Sequence, residues 1–299
     1  MDMIETVGAS SKMEAKMEKT WNDAARRWLT GRTDKPKAHQ KQEQHYVDVL
    51  TTLEADGLKL DGIPLSKITK GVVSSIRDEM LQTRSPATVN RYMTVLRAIL
   101  NKAKDDWEWV DNVPKIKRME EGKRVRFIEK DEARALLREL PRHLKDKVVF
   151  ALSTGLRDRN VRELEWSEVD LPNRMATISG TKMKNGKPLS IPLNDTAYEL
   201  LRKRSLDKGK DKQWVFAYGG RPVQRSNTKA FRKALKRAGI ENFRWHDLRH
   251  TWASWHVQRG THTAALREMG GWSDDRMVQR YAHLSTKHLR KVADNIGSL

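Results

Sequence analysis

Residues 176–193 read ATISGTKMKNGKPLSIPL, and this stretch decides the fold class. Segments 176–179 and 189–193 have strand character, and the Asn185-Gly186 pair between them is a strong turn signal. The stretch is therefore a β-hairpin with a tip rich in lysine: Lys182, Lys184 and Lys187. On both sides of it the apolar spacing is helical. Upstream, Ala133, Leu136, Leu137 and Leu140 form one stripe, and Leu144, Val148 and Leu152 another. Downstream, helices are predicted near 195–204, 226–238, 246–259, 263–269 and 274–282. A small antiparallel hairpin set among helices makes the second half a mixed, mostly helical α+β domain.

The first half carries no such interruption. Trp21, Ala24, Ala25, Trp28 and Leu29 recur on one helical face, and Tyr46, Val49, Leu50 and Leu53 on another. Ser85-Pro86 is a helix start. After it Val89, Tyr92, Met93, Leu96, Ile99, Leu100 and Ala103 form a buried face, with Asn90, Arg91, Thr94, Arg97, Asn101 and Lys104 opposite. The chain thus reads as a mainly α protein of two domains, as 299 residues allow. Residues 1–17 are a polar, flexible segment and 18–112 an all-α bundle. Residues 113–126 are a basic linker around Pro114 and Gly122, and 127–299 form the α+β domain.

Composition narrows the function. The 59 Lys and Arg against 39 Asp and Glu leave a net charge of +20, with an isoelectric point near 10.1. Such an excess points to a polyanion as partner, nucleic acid or an anionic surface. A mean hydropathy of −0.77 excludes a membrane-spanning chain. The N-terminus alternates charges where a signal peptide carries an apolar run. With no cysteine there is no disulfide framework, thiol nucleophile or Cys-ligated metal. Charge is concentrated over residues 201–240, where thirteen Lys and Arg face only Asp207 and Asp211. There Lys229, Arg232, Lys233 and Lys236 share one helical face, suited to neutralising phosphates.

Five short stretches of the second half carry reactive groups. They are Thr154-Gly155-Leu156-Arg157, the hairpin lysines, His246-Asp247-Leu248-Arg249-His250, Gly270-Gly271-Trp272-Ser273-Asp274 and Arg280-Tyr281-Ala282-His283. His246 and Arg249 lie one turn apart and together can grip a phosphate. Taken singly, Arg157 is also compatible with an ordinary surface residue, and Trp272 and Tyr281 with packed aromatics. His246 and His250 have the i, i+4 spacing of zinc ligands, although Asp247 stands where a zinc hydrolase has Glu. A third ligand would have to come from His256, His262 or His283.

The order Arg, hairpin Lys, His-x-x-Arg, Trp, Tyr in a basic domain resembles the tyrosine site-specific recombinases, or phage-type integrases. The motifs T-G-L-R, H-D-L-R-H-T, G-W-S-D and R-Y-A-H carry the resemblance, which covers most of the chain. It implies an all-α core-binding domain followed by an α+β catalytic domain. It also implies a catalytic set of Arg157, Lys182, His246, Arg249, Trp272 and Tyr281, with Lys184 as the reserve for Lys182. Arg157 and Arg249 would clamp the scissile phosphate, His246 would bond it or manage the nucleophile's proton, and Trp272 would donate its indole N–H. The hairpin lysine would protonate the leaving 5′-oxygen and Tyr281 would attack phosphorus.

The implied product is a 3′-phosphotyrosine, formed without metal, cofactor or ATP. Asn160 departs from the family's usual acid three residues after the first arginine. Thr88, Asn90 and Arg91, with Lys123, Arg124, Lys229, Arg232 and Lys233, are candidate DNA contacts. The implied partners are double-stranded DNA bearing a specific site and three further protomers in a synaptic tetramer, with no membrane, in the cytoplasm of the cell or host. Only about 17 residues precede the first helical stripe, too few for an additional arm-binding domain. Relaxation of DNA in the manner of a type IB topoisomerase, a non-catalytic DNA-binding regulator and a zinc hydrolase are the competing readings.

Overall fold

The computed structural model describes residues 18–122, 125–183, 185–206, 213–218 and 221–285. The 1–17 segment, Lys123, Arg124 and Lys184 lie outside the described residues. The chain divides into two compact units, Met1–Lys123 and Arg124–Leu299.

The first unit packs α1 (Trp21–Thr30), α2 (Lys37–Thr52), α3 (Lys70–Thr83) and α4 (Pro86–Asp105) around one core. Thr20 and Asp23 close a reciprocal capping box at the start of α1. Ser85 caps α4, with Pro86 in its first turn. Trp21 is fully buried and its indole N–H donates to Thr51 Oγ1 at 2.8 Å, so the core carries no unpaired donor there. Two features go beyond the sequence expectations: α3, and a ribbon of β1 (Glu54–Ala55) with β2 (Leu58–Lys59). Both have local signals. Val73, Ile76 and Met80 line the buried side of α3, and Asp56-Gly57 turn the ribbon with positive φ at both residues.

The sequence places Asn90 on the open side of α4; the structure buries it to 3% exposure. Its amide nitrogen donates to Met119 O at 2.9 Å and Glu121 Oε1 at 2.8 Å, and its oxygen accepts from Met119 N–H at 2.9 Å. The reason is that the expected linker folds back on α4. Ile116 is buried in this unit's core, with Val113 and Met119 packed against it. Helical periodicity reports the face turned to the bundle, but not a second layer laid over the other side.

In the second unit α5 (Lys130–Glu139), α6 (Arg142–Thr154) and α7 (Asp158–Arg162) precede the sheet. The hairpin is present as β4 (Met175–Ile178) antiparallel to β5 (Leu189–Pro192), pairing Ala176 with Ile191 and Ile178 with Leu189. These four side chains are buried while Thr177 and Ser190 face out, the alternation expected of a half-buried ribbon. A third strand, β3 (Val169–Asp170), pairs with β4. At the tip a Cβ on Gly180 would lie 2.3 Å from Gly186 O, so only glycine lets the chain close there.

Then follow α8 (Asp195–Leu206), the short pair β6 (Ala217–Tyr218) and β7 (Arg221–Pro222), α9 (Lys229–Arg237), α10 (Asp247–Gln258) and α11 (Thr263–Gly270). The single helix predicted over 274–282 is instead α12 (Arg276–Gln279) and a 3-10 turn, Ala282–Ser285. Backbone bonds from Tyr281 N to Val278 O and Leu284 N to Tyr281 O tighten the chain at this point.

Beside the main core of this unit lies a smaller apolar cluster of Trp252, Ala253, Val257, Leu266, Trp272, Val278 and Tyr281. No helix among the described residues is long and apolar enough to cross a membrane.

Candidate active site

Arg249 stands at the centre. It lies on the first turns of α10, is only 4% exposed, and has no carboxylate partner among the described residues. Backbone oxygens hold it instead. One terminal nitrogen donates to Gly155 O at 2.8 Å and the other to Gly270 O at 2.5 Å, while the guanidinium carbon sits 4.3 Å from the centre of the Trp272 ring. Burial, with Arg157 nearby, pushes Arg249 down to about 9, which still leaves it a cation at neutral pH. Two of its N–H donors fix its plane and the rest remain for a ligand.

The glycines of T-G-L-R and G-G-W have a physical reason. Gly155 ends α6 at φ +66, and a Cβ there would lie 2.2 Å from Trp252. A Cβ on Gly270 would lie 2.3 Å from Trp272. Each glycine lets an indole pack onto the backbone whose carbonyl holds Arg249.

Tyr281 belongs to the same cluster and is 2% exposed. Its ring centre lies 6.1 Å from that of Trp272. Burial pushes its hydroxyl up to about 12, against the pull of Arg249 and Arg280. The hydroxyl lies 2.5 Å from Nδ1 of His250. Burial holds His250 down at about 4, with His246 adding to the effect, so the imidazole is neutral, and its tautomer sets which partner donates this bond. His250 belongs to the motif stretch, but its helical spacing from His246 suggests only a metal pair; its partner lies 31 residues away.

His246 caps the start of α10 at the solvent edge, its ring edge-on to His250 with centres 5.1 Å apart. Partial desolvation, then Arg249 and Arg157, lower its pKa. Arg157 leads into α7 and acts electrostatically on both His246 and Arg249. Arg157, His246, Arg249, Trp272 and Tyr281 thus form one cluster. Asn160 makes no hydrogen bond to Arg157; its amide donates to Met183 Sδ at 3.3 Å.

Lys182 does not join them. It closes a 3-10 turn, Gly180–Lys182, and its ammonium donates to Glu163 O at 2.7 Å, Glu165 Oε1 at 2.7 Å and Glu168 Oε2 at 2.8 Å. All three N–H donors are spent. Burial opposes its charge, but the two glutamates outweigh that and hold its pKa above the usual value. A lysine so held is a poor proton donor. Sequence spacing could not reveal this, because the carboxylates lie 14 and 17 residues upstream.

Lys229, Arg232, Lys233 and Lys236 form an exposed face of α9, none of them ion-paired among the described residues. In the first unit, Arg91 is exposed, Thr88 is half-buried with its hydroxyl against Ser85, and Asn90 is committed to the backbone as described. Lys123 and Arg124 fall outside the described residues.

Residues 126–288 match the phage integrase family. The chain is 41% identical over 227 residues to the integrase of Salmonella phage P22, covering 71% of this chain and 58% of that protein. It is 31% identical over 176 residues to the tyrosine recombinase XerC of Xanthomonas campestris, covering 56% and 54% respectively. The matched region is therefore little more than half the length of these curated relatives. Its fold is similar to that of the Tn1549 transposon integrase in complex with a circular intermediate DNA, with a TM-score of 0.75 at 16% identity over 92% of this chain and 99% of that one. It is also similar to a lambda integrase tetramer bound to a Holliday junction, with a TM-score of 0.72 at 18% identity over 89% and 78%.

Proposed function

The chain belongs to the phage integrase family, and from that premise we propose that it cleaves and rejoins DNA at a specific duplex site through a covalent 3′-phosphotyrosine on Tyr281. The observation that carries this is the joint placement of Tyr281 and Arg249 in one buried cluster, with Arg157 and His246 at its edge. A phenol (pKa about 10) is a weak nucleophile at neutral pH, and burial makes this one weaker still. It needs positive charge gathered at the attacked phosphate. Two guanidiniums supply that charge, Arg249 from an anchored position, so little reorganisation accompanies the growth of negative charge on the phosphoryl oxygens. Arg249 is anchored by two carbonyls and stacked on Trp272, which aims its remaining donors.

In this scheme the arginines supply the charge that a metal supplies in other nucleases, and the phosphotyrosine conserves the energy of the broken bond. Neither metal nor ATP is required. The exposed basic face of α9 supports phosphate contacts along a duplex. The DNA complexes of the Tn1549 and lambda integrases support duplex DNA as substrate, and the lambda tetramer supports a tetramer as the working assembly. A zinc hydrolase is disfavoured. Among the described residues no third His, Asp or Glu joins His246 and His250.

The test is covalent trapping. Nicked duplexes tiled across the DNA flanking the coding sequence, incubated with the protein in EDTA, are expected to yield an adduct that survives denaturing electrophoresis. Loss of the adduct in EDTA and its return with added metal would overturn the metal-free scheme.

The proton for the leaving 5′-oxygen is assigned to Lys184, since Lys182 is caged by Glu165 and Glu168. Lys184→Ala is expected to slow cleavage by about 10²–10⁴-fold, the usual worth of a general acid. A duplex with sulfur in place of the bridging 5′-oxygen leaves without protonation and should restore the rate. Lys182→Met should instead lower the melting temperature and leave the sulfur-to-oxygen rate ratio unchanged. The opposite pattern would return the role to Lys182.

A further inference from the structure

We propose that His250, not His246, takes the proton of the Tyr281 hydroxyl as it attacks the scissile phosphate. This rests on the phosphotyrosine chemistry above and assigns the proton transfer at the nucleophile, which the motif set leaves open. The geometry is direct: the hydroxyl lies 2.5 Å from His250 Nδ1. No contact joins His246 to Tyr281 among the described residues, and His246 sits one helical turn closer to solvent, beside the arginines. The two histidines divide the labour by depth. His246 is placed to meet the phosphate, while His250 is placed behind the nucleophile.

Base action requires one tautomer of this pair: the phenol donates to Nδ1, and the imidazole carries its own hydrogen on Nε2. In the cleavage step the Tyr281 oxygen forms a bond to phosphorus and the bond from phosphorus to O5′ breaks. The phenolic proton passes to His250 Nδ1, and O5′ takes its proton from the hairpin lysine. Rejoining runs the same transfers backwards, with His250 returning the proton to the departing tyrosine.

The charged groups acting on His250 are His246, Asp247 and Arg249 on its own helix and Arg280 beside α12. All but Asp247 disfavour a second positive charge. Bringing a phosphate anion to the arginines offsets that repulsion, so the imidazole becomes a better base when substrate is bound. Proton transfer is thereby tied to correct seating of the DNA.

Asparagine separates holding the hydroxyl from taking its proton, because its side-chain oxygen can stand near the position of Nδ1 without being a base. His250→Ala and His250→Asn are each expected to cut the rate of adduct formation on nicked duplex by about 10²–10⁴-fold, with gel-shift binding retained. Added imidazole should restore part of the His250→Ala rate, rising with the unprotonated fraction of imidazole across pH 6–8 (about its own pKa). Folding of both variants is checked by thermal melting, and the asparagine variant keeps the hydrogen bond if the alanine one does not fold. Adduct formation by His250→Asn at the wild-type rate would overturn the proposal and leave His250 as a positioning residue. Failure of the wild-type protein itself to become esterified at Tyr281 would overturn the parent chemistry, so the two failures are distinguishable.

Discussion

Tyr281→Phe is expected to abolish the covalent adduct while leaving DNA binding nearly unchanged. Removing the nucleophile of a covalent mechanism costs up to about 10⁶-fold, so the loss should reach the detection limit of a denaturing gel. Binding should persist because the phosphate contacts dominate it and the phenol is not among them. The fold should persist too. Tyr281 fills a closed apolar cluster, which Phe also fills, and only the hydroxyl bond to His250 is lost. One orphaned ring nitrogen at that position costs about 1–3 kcal/mol, a modest shift in a thermal melt. A Tyr281→Phe protein that still forms adduct at the wild-type level would remove Tyr281 from the chemistry. One that fails to melt cooperatively would make the experiment a test of folding, and hydrolysis of purified adduct to map the esterified residue would then decide it.

Arg249→Lys keeps the charge and is still expected to slow cleavage by about 10²–10³-fold, the worth of one preorganised donor at a developing oxyanion. The guanidinium is a planar fork that reaches Gly155 O and Gly270 O together and stacks on Trp272. An ammonium is a point charge on a flexible stem and cannot do both while also facing a phosphate. The readout is adduct formed per folded molecule, with salt-dependent binding measured in parallel. Since the charge is retained, the slope of affinity against salt should hardly change. Wild-type cleavage by Arg249→Lys would show that this site needs charge alone, and the account of the two carbonyls would fail with it.

The sequence carried the parts whose meaning is local. Helical repeats around Trp21 and Val89 and the strand pair of the hairpin are written in short-range spacing, and the structure contains each of them. The same holds for His246 and Arg249, one turn apart on α10. What spacing cannot express is a partner brought from far along the chain. The caging of Lys182 by Glu165 and Glu168 and the covering of Asn90 by Met119 and Glu121 are of this kind.

His250 is the clearest case. Its position in the motif was plain, but its i, i+4 relation to His246 pointed to a metal, whereas the tertiary fold gave its Nδ1 to a tyrosine 31 residues away. The sequence by itself determined which reactive groups exist, which helix or turn carries each, and the excess of positive charge around them. Tertiary packing alone decided which group meets which, because burial and hydrogen bonding are set by whatever the rest of the chain lays against a side chain. Of two lysines separated by one residue, such contacts confine one within carboxylates, and periodicity along the backbone holds no record of that.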